Sequence, residues 1–379
     1  MQDDHMGHEA VVIGAGPAGL ACAAALKAIG GSVTLLEREN EMAPAWRRHY
    51  DRLHLHTPKR HSGLPGLPMP REYPDYPSRD QVISYLKNYA VHHKITPRFG
   101  VSVLKVVRRD KWVVETSTGA VATDNVIFAT GLAGQPVRAH WPGLETFPGR
   151  VLHSSEYKNP RPFSGSRVLV VGLGNSGGEI AVDLCDAGLE VSVSARSPVN
   201  IIPRDLLGIP ILTWAILQKS LPYRLVDALN GPVLRLAVGN LERFGLRRPA
   251  KGPMAQVIED RKIPILDVGT VDRIRRGKIS LRPAIERISG ADVRFEDGTV
   301  EQFDVIIQAT GYRPNLRSLL PDHQDALDES DTPVVCGATT SYPGLFFCGY
   351  IPVATGQFRE IAIEANRIAR AIRTRSAAR

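Results

Sequence analysis

The chain carries two glycine-rich turns whose spacing suits the diphosphate of a dinucleotide. The first runs Gly14-Ala15-Gly16-Pro17-Ala18-Gly19, and the second runs Gly172-Leu173-Gly174-Asn175-Ser176-Gly177. In each, the first glycine permits a tight bend, the second lets a pyrophosphate approach, and the third lets a helix pack closely on a strand. The free N–H groups at the start of that helix attract the anion. Two such turns predict two dinucleotide sites.

The residues that follow each turn differ in charge, which predicts a different nucleotide at each site. Glu37 lies about twenty positions beyond the first glycines, where a carboxylate accepts hydrogen bonds from a ribose diol and disfavours a 2′-phosphate. Arg196 and Ser197 take the equivalent place after the second turn. Because arginine pairs bidentately with phosphate, the second site should prefer NADP over NAD. We therefore predict FAD at the first site and NADPH at the second.

Each turn lies between a short apolar strand and a helix, which predicts an α/β fold. Strands are expected at 11–13 and 33–36 around the first turn, and at 168–171 and 191–194 around the second. Two Ala-Thr-Gly segments, which contain Thr130, Gly131, Thr310 and Gly311, indicate equivalent crossings of the chain between domains. We predict two nested, three-layer Rossmann-like domains. The FAD domain is discontinuous, over 1–162 and 306–379, and the NADPH domain is inserted over 163–305.

Composition narrows the class of protein. Hydrophobic residues make up 43% and charged residues 23% of the 379 positions, which predicts a globular core. The net charge of +8 is spread along the chain, so we expect no nucleic-acid partner. The four cysteines form no C-x-x-C pair or metal-binding pattern, which favours a reducing compartment and no metal. With no apolar leader or spanning segment expected, we predict a soluble, cytoplasmic protein.

A third motif points to a family. Residues 147–157, Phe-Pro-Gly-Arg-Val-Leu-His-Ser-Ser-Glu-Tyr, fit the pattern F-x-G-x-x-x-H-x-x-x-Y just before the second turn. In this segment and in the turn itself, which continues to Glu179, the chain resembles the flavin-containing monooxygenases. Stretches at 50–56, 264–269 and 309–313 resemble the plant YUCCA group of that family. The resemblance covers nearly the whole chain.

The resemblance implies an activity. NADPH would reduce FAD, the reduced flavin would form a C4a-(hydro)peroxyflavin with O₂, and NADP⁺ would stay bound. In the YUCCA group the implied substrate is indole-3-pyruvate or a similar aromatic 2-oxo acid, converted to indole-3-acetate by oxidative decarboxylation. The alternative is an N- or S-oxygenase of a small amine, thioether or indole-type substrate. An NADPH oxidase and a non-catalytic dinucleotide-binding module remain further alternatives, whereas a thioredoxin-reductase type would need a C-x-x-C dithiol.

The resemblance also gives roles to individual residues. His153 is expected to be structural, and stabilisation of the oxygenated flavin is predicted to fall to Asn175, His56 or Thr57. The predicted cofactor-binding residues are Gly14, Gly16, Pro17, Ala18, Gly19, Glu37, Arg38, Trp46, Thr130, Gly131, Gly172, Gly174, Asn175, Ser176, Gly177, Arg196, Ser197, Thr310, Gly311, Gly349 and Gln357.

The apolar segment 206–246 has three possible roles. It contains Trp214, Leu221, Tyr223 and Leu234 among several prolines. We predict that it packs in the core rather than forming a substrate passage or a dimer surface. The apolar composition of this segment is also compatible with a homodimer.

Overall fold

The computed structural model describes residues 9–377. The α-helices in this part of the chain are α1 Pro17–Ala28, α2 Pro44–Arg48, α3 Arg79–His92, α4 Asn175–Asp186, α5 Ile211–Leu217, α6 Tyr223–Val238, α7 Pro253–Asp260, α8 Thr270–Arg275 and α9 Gln357–Ala377. The 3₁₀ helices are Lys59–His61, Leu144–Thr146, Arg161–Phe163, Glu242–Phe244 and Gln324–Ala326.

The strands, also in chain order, are β1 Ala10–Ile13, β2 Val33–Leu36, β3 Val103–Arg108, β4 Trp112–Thr116, β5 Gly119–Thr123, β6 Asn125–Phe128, β7 Gln135–Pro136, β8 Arg150–His153, β9 Arg167–Val171, β10 Glu190–Ser194, β11 Ile201–Pro203, β12 Asp205–Leu206, β13 Ile209–Pro210, β14 Ile265–Asp267, β15 Ile279–Arg282, β16 Ile285–Ser289, β17 Asp292–Phe295, β18 Val300–Gln302, β19 Val305–Gln308, β20 Tyr312–Arg313 and β21 Leu345–Phe347.

The first large sheet forms around the N-terminal turn. Its four parallel strands lie in the order β2-β1-β6-β21, so the last strand comes from the far end of the chain. Helices α1, α3 and α9 cover one face, where Leu20, Leu86 and Ile368 are fully buried. The antiparallel sheet β3-β4-β5 covers the other face through Val106 and Trp112. This domain therefore has three layers.

The second large sheet repeats this architecture around the second turn. Its five parallel strands lie in the order β15-β10-β9-β19-β8. Helices α4 and α8 cover one face through Ile180 and Ile274, and the antiparallel sheet β16-β17-β18 covers the other through Val293 and Phe295. The predicted α/β class with two nested, three-layer dinucleotide-binding domains is confirmed.

Strands β8 and β19 show that the inserted domain is longer at both ends than its predicted boundaries. The predicted boundaries, 163 and 305, leave β8 and nearly all of β19 in the FAD domain, but both strands pair within the second sheet. Pairing between parallel strands distant in sequence is not visible in local composition, which explains the difference. We therefore propose that the inserted domain extends from about Arg150 to Gln308, while the division into two domains stays as predicted.

The segment 206–246 folds into α5, α6 and short strands, and most of it is not core. Trp214 and Leu234 are half-buried, and Leu221 is exposed. Leu236, on the outer face of α6, is 86% exposed. The core prediction is wrong for these residues because apolar composition does not reveal which side a helix buries. Within residues 9–377, no helix combines the length and apolarity needed to cross a membrane.

Candidate active site

The two glycine-rich turns have nearly the same geometry. Gly14 has φ +104° and Gly172 has φ +102°, a conformation open to glycine and strained for other residues. A Cβ at Gly19 would lie 1.8 Å from the carbonyl oxygen of Gly14, and a Cβ at Gly177 would lie 1.9 Å from that of Gly172. The third glycine of each turn is thus required for the close approach of helix and strand.

The second glycine of each turn, by contrast, lies beside open space. A Cβ at Gly16 or at Gly174 would meet no atom within 4 Å. Each of these glycines is the N-terminal cap of its helix, α1 or α4, and no side chain caps either helix. A diphosphate therefore fits against free backbone N–H groups at both turns.

A cavity of about 670 Å³ opens at the carboxyl ends of β1, β2 and β6. Thirteen of the predicted cofactor-binding residues line it: Gly14, Gly16, Pro17, Ala18, Glu37, Arg38, Trp46, Thr130, Gly131, Asn175, Ser176, Gly349 and Gln357. Gly19 is absent from the lining because it packs against Gly14. The volume and position fit FAD, whose pyrophosphate would lie at Gly16. That these residues bind it stays a prediction.

Glu37 is fixed where the cavity meets the end of β2. Its carboxylate is 5% exposed and accepts hydrogen bonds from the backbone N–H of Ala15, at 2.8 Å, and of Glu39, at 3.0 Å. A carboxylate oxygen can accept more than one hydrogen bond, so both oxygens can still receive ribose hydroxyls. The Ala15 contact also ties this carboxylate to the phosphate-binding turn.

Tyr350 and Glu364 hold the opposite wall of the cavity. The fully buried Tyr350 hydroxyl accepts a hydrogen bond from the Thr130 N–H at 2.9 Å and pairs with the Thr130 hydroxyl at 2.7 Å. Glu364 accepts from the Gly349 N–H at 2.7 Å, and burial raises the pKa of this carboxyl. The Gln357 amide donates to the Gly349 carbonyl at 3.0 Å. Gly349 and Gln357 are thereby held in place next to the flavin-side cavity.

A second cavity, of about 220 Å³, lies between the second domain and the loop before α9. His56, Thr57, Asn175 and Gln357 line both cavities, so the two meet at these four residues. The rest of the second lining is mainly apolar and comes largely from α5, α6 and α7: Ile211, Leu212, Trp214, Ala215, Val226, Leu234, Met254 and Val257. Because Leu212, Trp214 and Leu234 line this cavity, they support the alternative that segment 206–246 forms a substrate passage.

The charges around the second cavity are few. His56 and Asp227 are its only ionisable lining residues within the described part of the chain. Asp227 accepts hydrogen bonds from the N–H groups of Met254 and Ala255, at 2.9 and 2.8 Å, at the start of α7. The indole N–H of Trp214 is buried and has no acceptor among residues 9–377. This chemistry suits an aromatic or apolar ligand with few polar groups.

Side chains at the junction of the cavities are tied to one another. His56 Nε2 is hydrogen-bonded to Glu179 Oε1, and Glu179 is 5% exposed. Asn175 accepts from the Leu266 N–H at 2.8 Å and donates to the Pro264 carbonyl at 3.4 Å. The junction therefore joins the loop after α2 to helix α4 of the second domain.

Two further side chains surround Glu179 on the flavin side. Burial lowers the pKa of His49 to about 4, partly opposed by Glu179, while Lys158 and Arg48 lower it further. Burial and Glu179 raise the pKa of the Tyr50 hydroxyl. Both side chains are therefore neutral near pH 7. The sequence prediction included His56 but not Glu179, although Asn175 and Glu179 are one helical turn apart and share a face of α4.

Most of the predicted NADPH-binding residues lie outside both cavities, but Asn175 and Ser176 line the first one. Arg196 and Ser197 are exposed just after β10, and Thr310 and Gly311 follow β19. The guanidinium of Arg247 donates to the Arg196 carbonyl at 3.1 Å, which brings a second arginine to the same edge. Sequence analysis missed Arg247 because it is 51 positions away. The assignment of these residues to NADPH stays a prediction.

His153 joins two segments of the second domain. Nδ1 accepts the Ser155 N–H at 3.1 Å, so Nε2 carries the proton and donates to the Gly311 carbonyl at 3.1 Å. Burial lowers the pKa of His153, and its ring contacts Tyr312 edge-on. These contacts fit the structural role expected for this histidine and account for the position of the Thr310-Gly311 crossing.

Comparisons with known proteins agree with this geometry. The family described as pyridine nucleotide-disulphide oxidoreductase matches residues 11–205. Indole-3-pyruvate monooxygenase YUCCA1 of Oryza sativa subsp. japonica is 44% identical over 322 residues, which cover 83% of this chain and 79% of that protein. Indole-3-pyruvate monooxygenase YUCCA6 of Arabidopsis thaliana is 40% identical, with 83% and 78% covered.

A solved structure matches along the whole fold. The flavin-containing monooxygenase from Stenotrophomonas maltophilia superposes with a TM-score of 0.74 at 25% identity, covering 97% of this chain and 98% of that one. The predicted flavoprotein monooxygenase, with FAD and NADPH as cofactors, is thereby confirmed. The chain belongs to the pyridine nucleotide-disulphide oxidoreductase family and, within it, to the flavin-containing monooxygenases of the YUCCA group.

Proposed function

We propose that this enzyme carries out the oxidative decarboxylation of an aromatic 2-oxo acid, with indole-3-pyruvate as the leading substrate. The observation that carries the proposal is the apolar second cavity, which meets the flavin-side cavity at His56, Thr57, Asn175 and Gln357. A substrate in the second cavity would place one end at that junction. The relatives named as indole-3-pyruvate monooxygenases support the choice of substrate.

The overall reaction balances without any further reactant. One 2-oxo acid, NADPH, H⁺ and O₂ give the shortened carboxylic acid, CO₂, NADP⁺ and H₂O. Bound FAD supplies the redox chemistry between NADPH and O₂. The protein contributes the diphosphate sites at Gly16 and Gly174, the ribose-binding position of Glu37, and a largely apolar space for the substrate.

The cavity supports an aromatic substrate in particular. Trp214, Leu212 and Leu234 offer flat and aliphatic surfaces to a ring, since apolar lining residues favour the burial of aromatic area. The Trp214 N–H, which has no acceptor in the described part of the chain, provides one hydrogen-bond donor for a ligand oxygen. No lysine or arginine lines this cavity within residues 9–377, which disfavours ligands with several negative charges.

The test uses the purified holoenzyme with NADPH, ¹⁸O₂ and indole-3-pyruvate. We expect indole-3-acetate that carries one ¹⁸O atom, one CO₂ per NADPH consumed, and little H₂O₂. Stoichiometric H₂O₂ without indole-3-acetate would instead identify an NADPH oxidase. Oxygenation of a thioether or amine in place of the 2-oxo acid would assign the alternative substrate class.

We place the enzyme in the cytoplasm. The four cysteines are free, and Cys22 and Cys348 are buried, which is usual for proteins of a reducing compartment. Fractionation of cells that express a tagged chain would check this assignment.

A further inference from the structure

The junction between the two cavities contains one side chain that is held by a buried carboxylate. Asn175 uses its amide oxygen and nitrogen on the backbone of Leu266 and Pro264. The Gln357 amide nitrogen donates to Gly349. Each amide thus holds the backbone through one N–H and keeps a second, uncharged N–H.

The hydrogen of the Thr57 hydroxyl is used on a neighbouring side chain. Its hydroxyl is 2.7 Å from the Ser62 hydroxyl, which in turn donates to the Pro58 carbonyl at 2.9 Å. Because the Ser62 proton is used on Pro58, the Thr57 hydroxyl must donate to Ser62. Among the four residues that line both cavities, His56 is the one that pairs with a buried carboxylate.

His56 is held by one ring nitrogen. Nε2 pairs with the buried carboxylate of Glu179, and Nδ1 has no hydrogen-bond partner among residues 9–377. Both nitrogens of a protonated imidazole are donors. An imidazolium whose Nε2–H is held by a buried carboxylate therefore presents its Nδ1–H on the other side.

We propose that Glu179 is a positioning residue that orients the imidazolium of His56 so that its Nδ1–H donates a hydrogen bond to the 2-oxo oxygen of the substrate. The proposal rests on the proposed function and specifies how the substrate is recognised. The hydrogen bond withdraws electron density from the carbonyl, which makes the 2-oxo carbon more electrophilic at the flavin side of the junction. The proton stays on Nδ1, and no bond to it is broken.

The same contact sets the direction of the substrate. With its 2-oxo group at His56, the reacting carbon lies at the junction, and the aromatic ring extends between α5 and α6 towards Trp214. The enzyme would then discriminate a 2-oxo acid from a carboxylic acid of equal length by a single hydrogen bond. A ligand without the 2-oxo oxygen leaves the His56 N–H unpaired and therefore binds more weakly.

The test measures binding without turnover. Oxidised, FAD-bound enzyme without NADPH is titrated with indole-3-pyruvate and with indole-3-propionate, which lacks the 2-oxo oxygen. Flavin absorbance and calorimetry report the two dissociation constants. In Glu179→Gln, which keeps the volume of the side chain, we expect the affinity for indole-3-pyruvate to fall roughly 10- to 100-fold, the range for one hydrogen bond to a charged group. The affinity for indole-3-propionate should stay within about twofold, since that ligand lacks the bond.

Two more variants separate recognition from folding. His56→Gln should show the same selective loss as Glu179→Gln. Asp183→Asn is the matched control: Asp183 lies one turn further along α4, accepts a hydrogen bond from Tyr157 at 2.8 Å, and lines neither cavity. We expect this variant to bind both ligands as the wild type does.

Each other outcome counts against the proposal. Equal losses for both ligands in Glu179→Gln would make the pair a contact between domains only, and unchanged binding would remove any role in recognition. A wild-type enzyme without preference for the 2-oxo acid would overturn the proposal too. Failure of the proposed function is distinguishable, because it appears as wild-type enzyme that forms no indole-3-acetate under turnover.

Discussion

Arg196 provides a direct test of how the second site selects its nucleotide. Its guanidinium is exposed just beyond β10, at the position where a ribose 2′-phosphate is expected, and Arg247 contacts its backbone carbonyl. Replacing Arg196 with alanine should weaken NADP⁺ binding and leave NAD⁺ binding nearly unchanged. The reason is that only NADP⁺ carries the phosphate with which the guanidinium pairs.

The size of the effect follows from the exposure of the site. A hydrogen bond to a charged group contributes about 1.5–3 kcal/mol, equivalent to roughly 10- to 100-fold in affinity. Because Arg196 is exposed, salt screens the pair, and we expect a value near the lower limit at about 0.15 M salt. The loss should grow as the salt concentration is reduced.

The assay is a titration of FAD-bound protein with NADP⁺ and NAD⁺ at two salt concentrations. Arg287→Ala, which removes an exposed arginine from the far antiparallel sheet, serves as the control. Arg247→Ala tests whether the second arginine shares the phosphate. An equal loss for NADP⁺ and NAD⁺ in Arg196→Ala would refute the assignment of Arg196 to the 2′-phosphate.

Three further outcomes are expected. Gly177→Ala should lower the thermal unfolding temperature, because its Cβ would lie 1.9 Å from the Gly172 carbonyl oxygen. Gly174→Ala has room for the Cβ and should lose NADPH affinity without loss of stability. Equal melting temperatures for the two variants would contradict this difference. Trp214→Ala should raise the KM for an aromatic substrate about 10-fold, because the substrate loses its contact with the indole ring that lines the cavity, and FAD content should stay unchanged by absorbance. His49 stays neutral in the folded state down to about pH 4, so the unfolded state binds more protons below pH 6.5. Stability should therefore fall as pH drops from about 6.5 to 4, and His49→Gln should flatten that slope in pH-dependent melting curves.

Local features of the chain were predictable from the sequence. The turn at Gly14 and the turn at Gly172 were identified because the bend, the strand and the helix lie within about thirty residues of each other. Glu37 was assigned by its distance from the turn, and the structure fixes it beside Ala15. Such features need no knowledge of how distant segments pack.

Features that depend on distant contacts were not predictable. His56 and Glu179 are 123 positions apart, and their pairing depends on the way the two domains meet. The membership of Arg150–His153 in the second sheet depends on a partner strand more than 150 residues later. The outer face of α6 was assigned to the core because its leucines, such as Leu236, give no sign of which side faces solvent.

The route of the chain through the two sheets also determines the order in which they can be completed during synthesis. All five strands of the second sheet have been made once Gln308 emerges, whereas the first sheet still lacks β21, and α1 still lacks the α9 partner that packs against it. Domains tend to fold as units as soon as their residues are available. The nascent chain should thus acquire its pyridine-nucleotide domain first and remain unable to retain FAD until α9 leaves the ribosome.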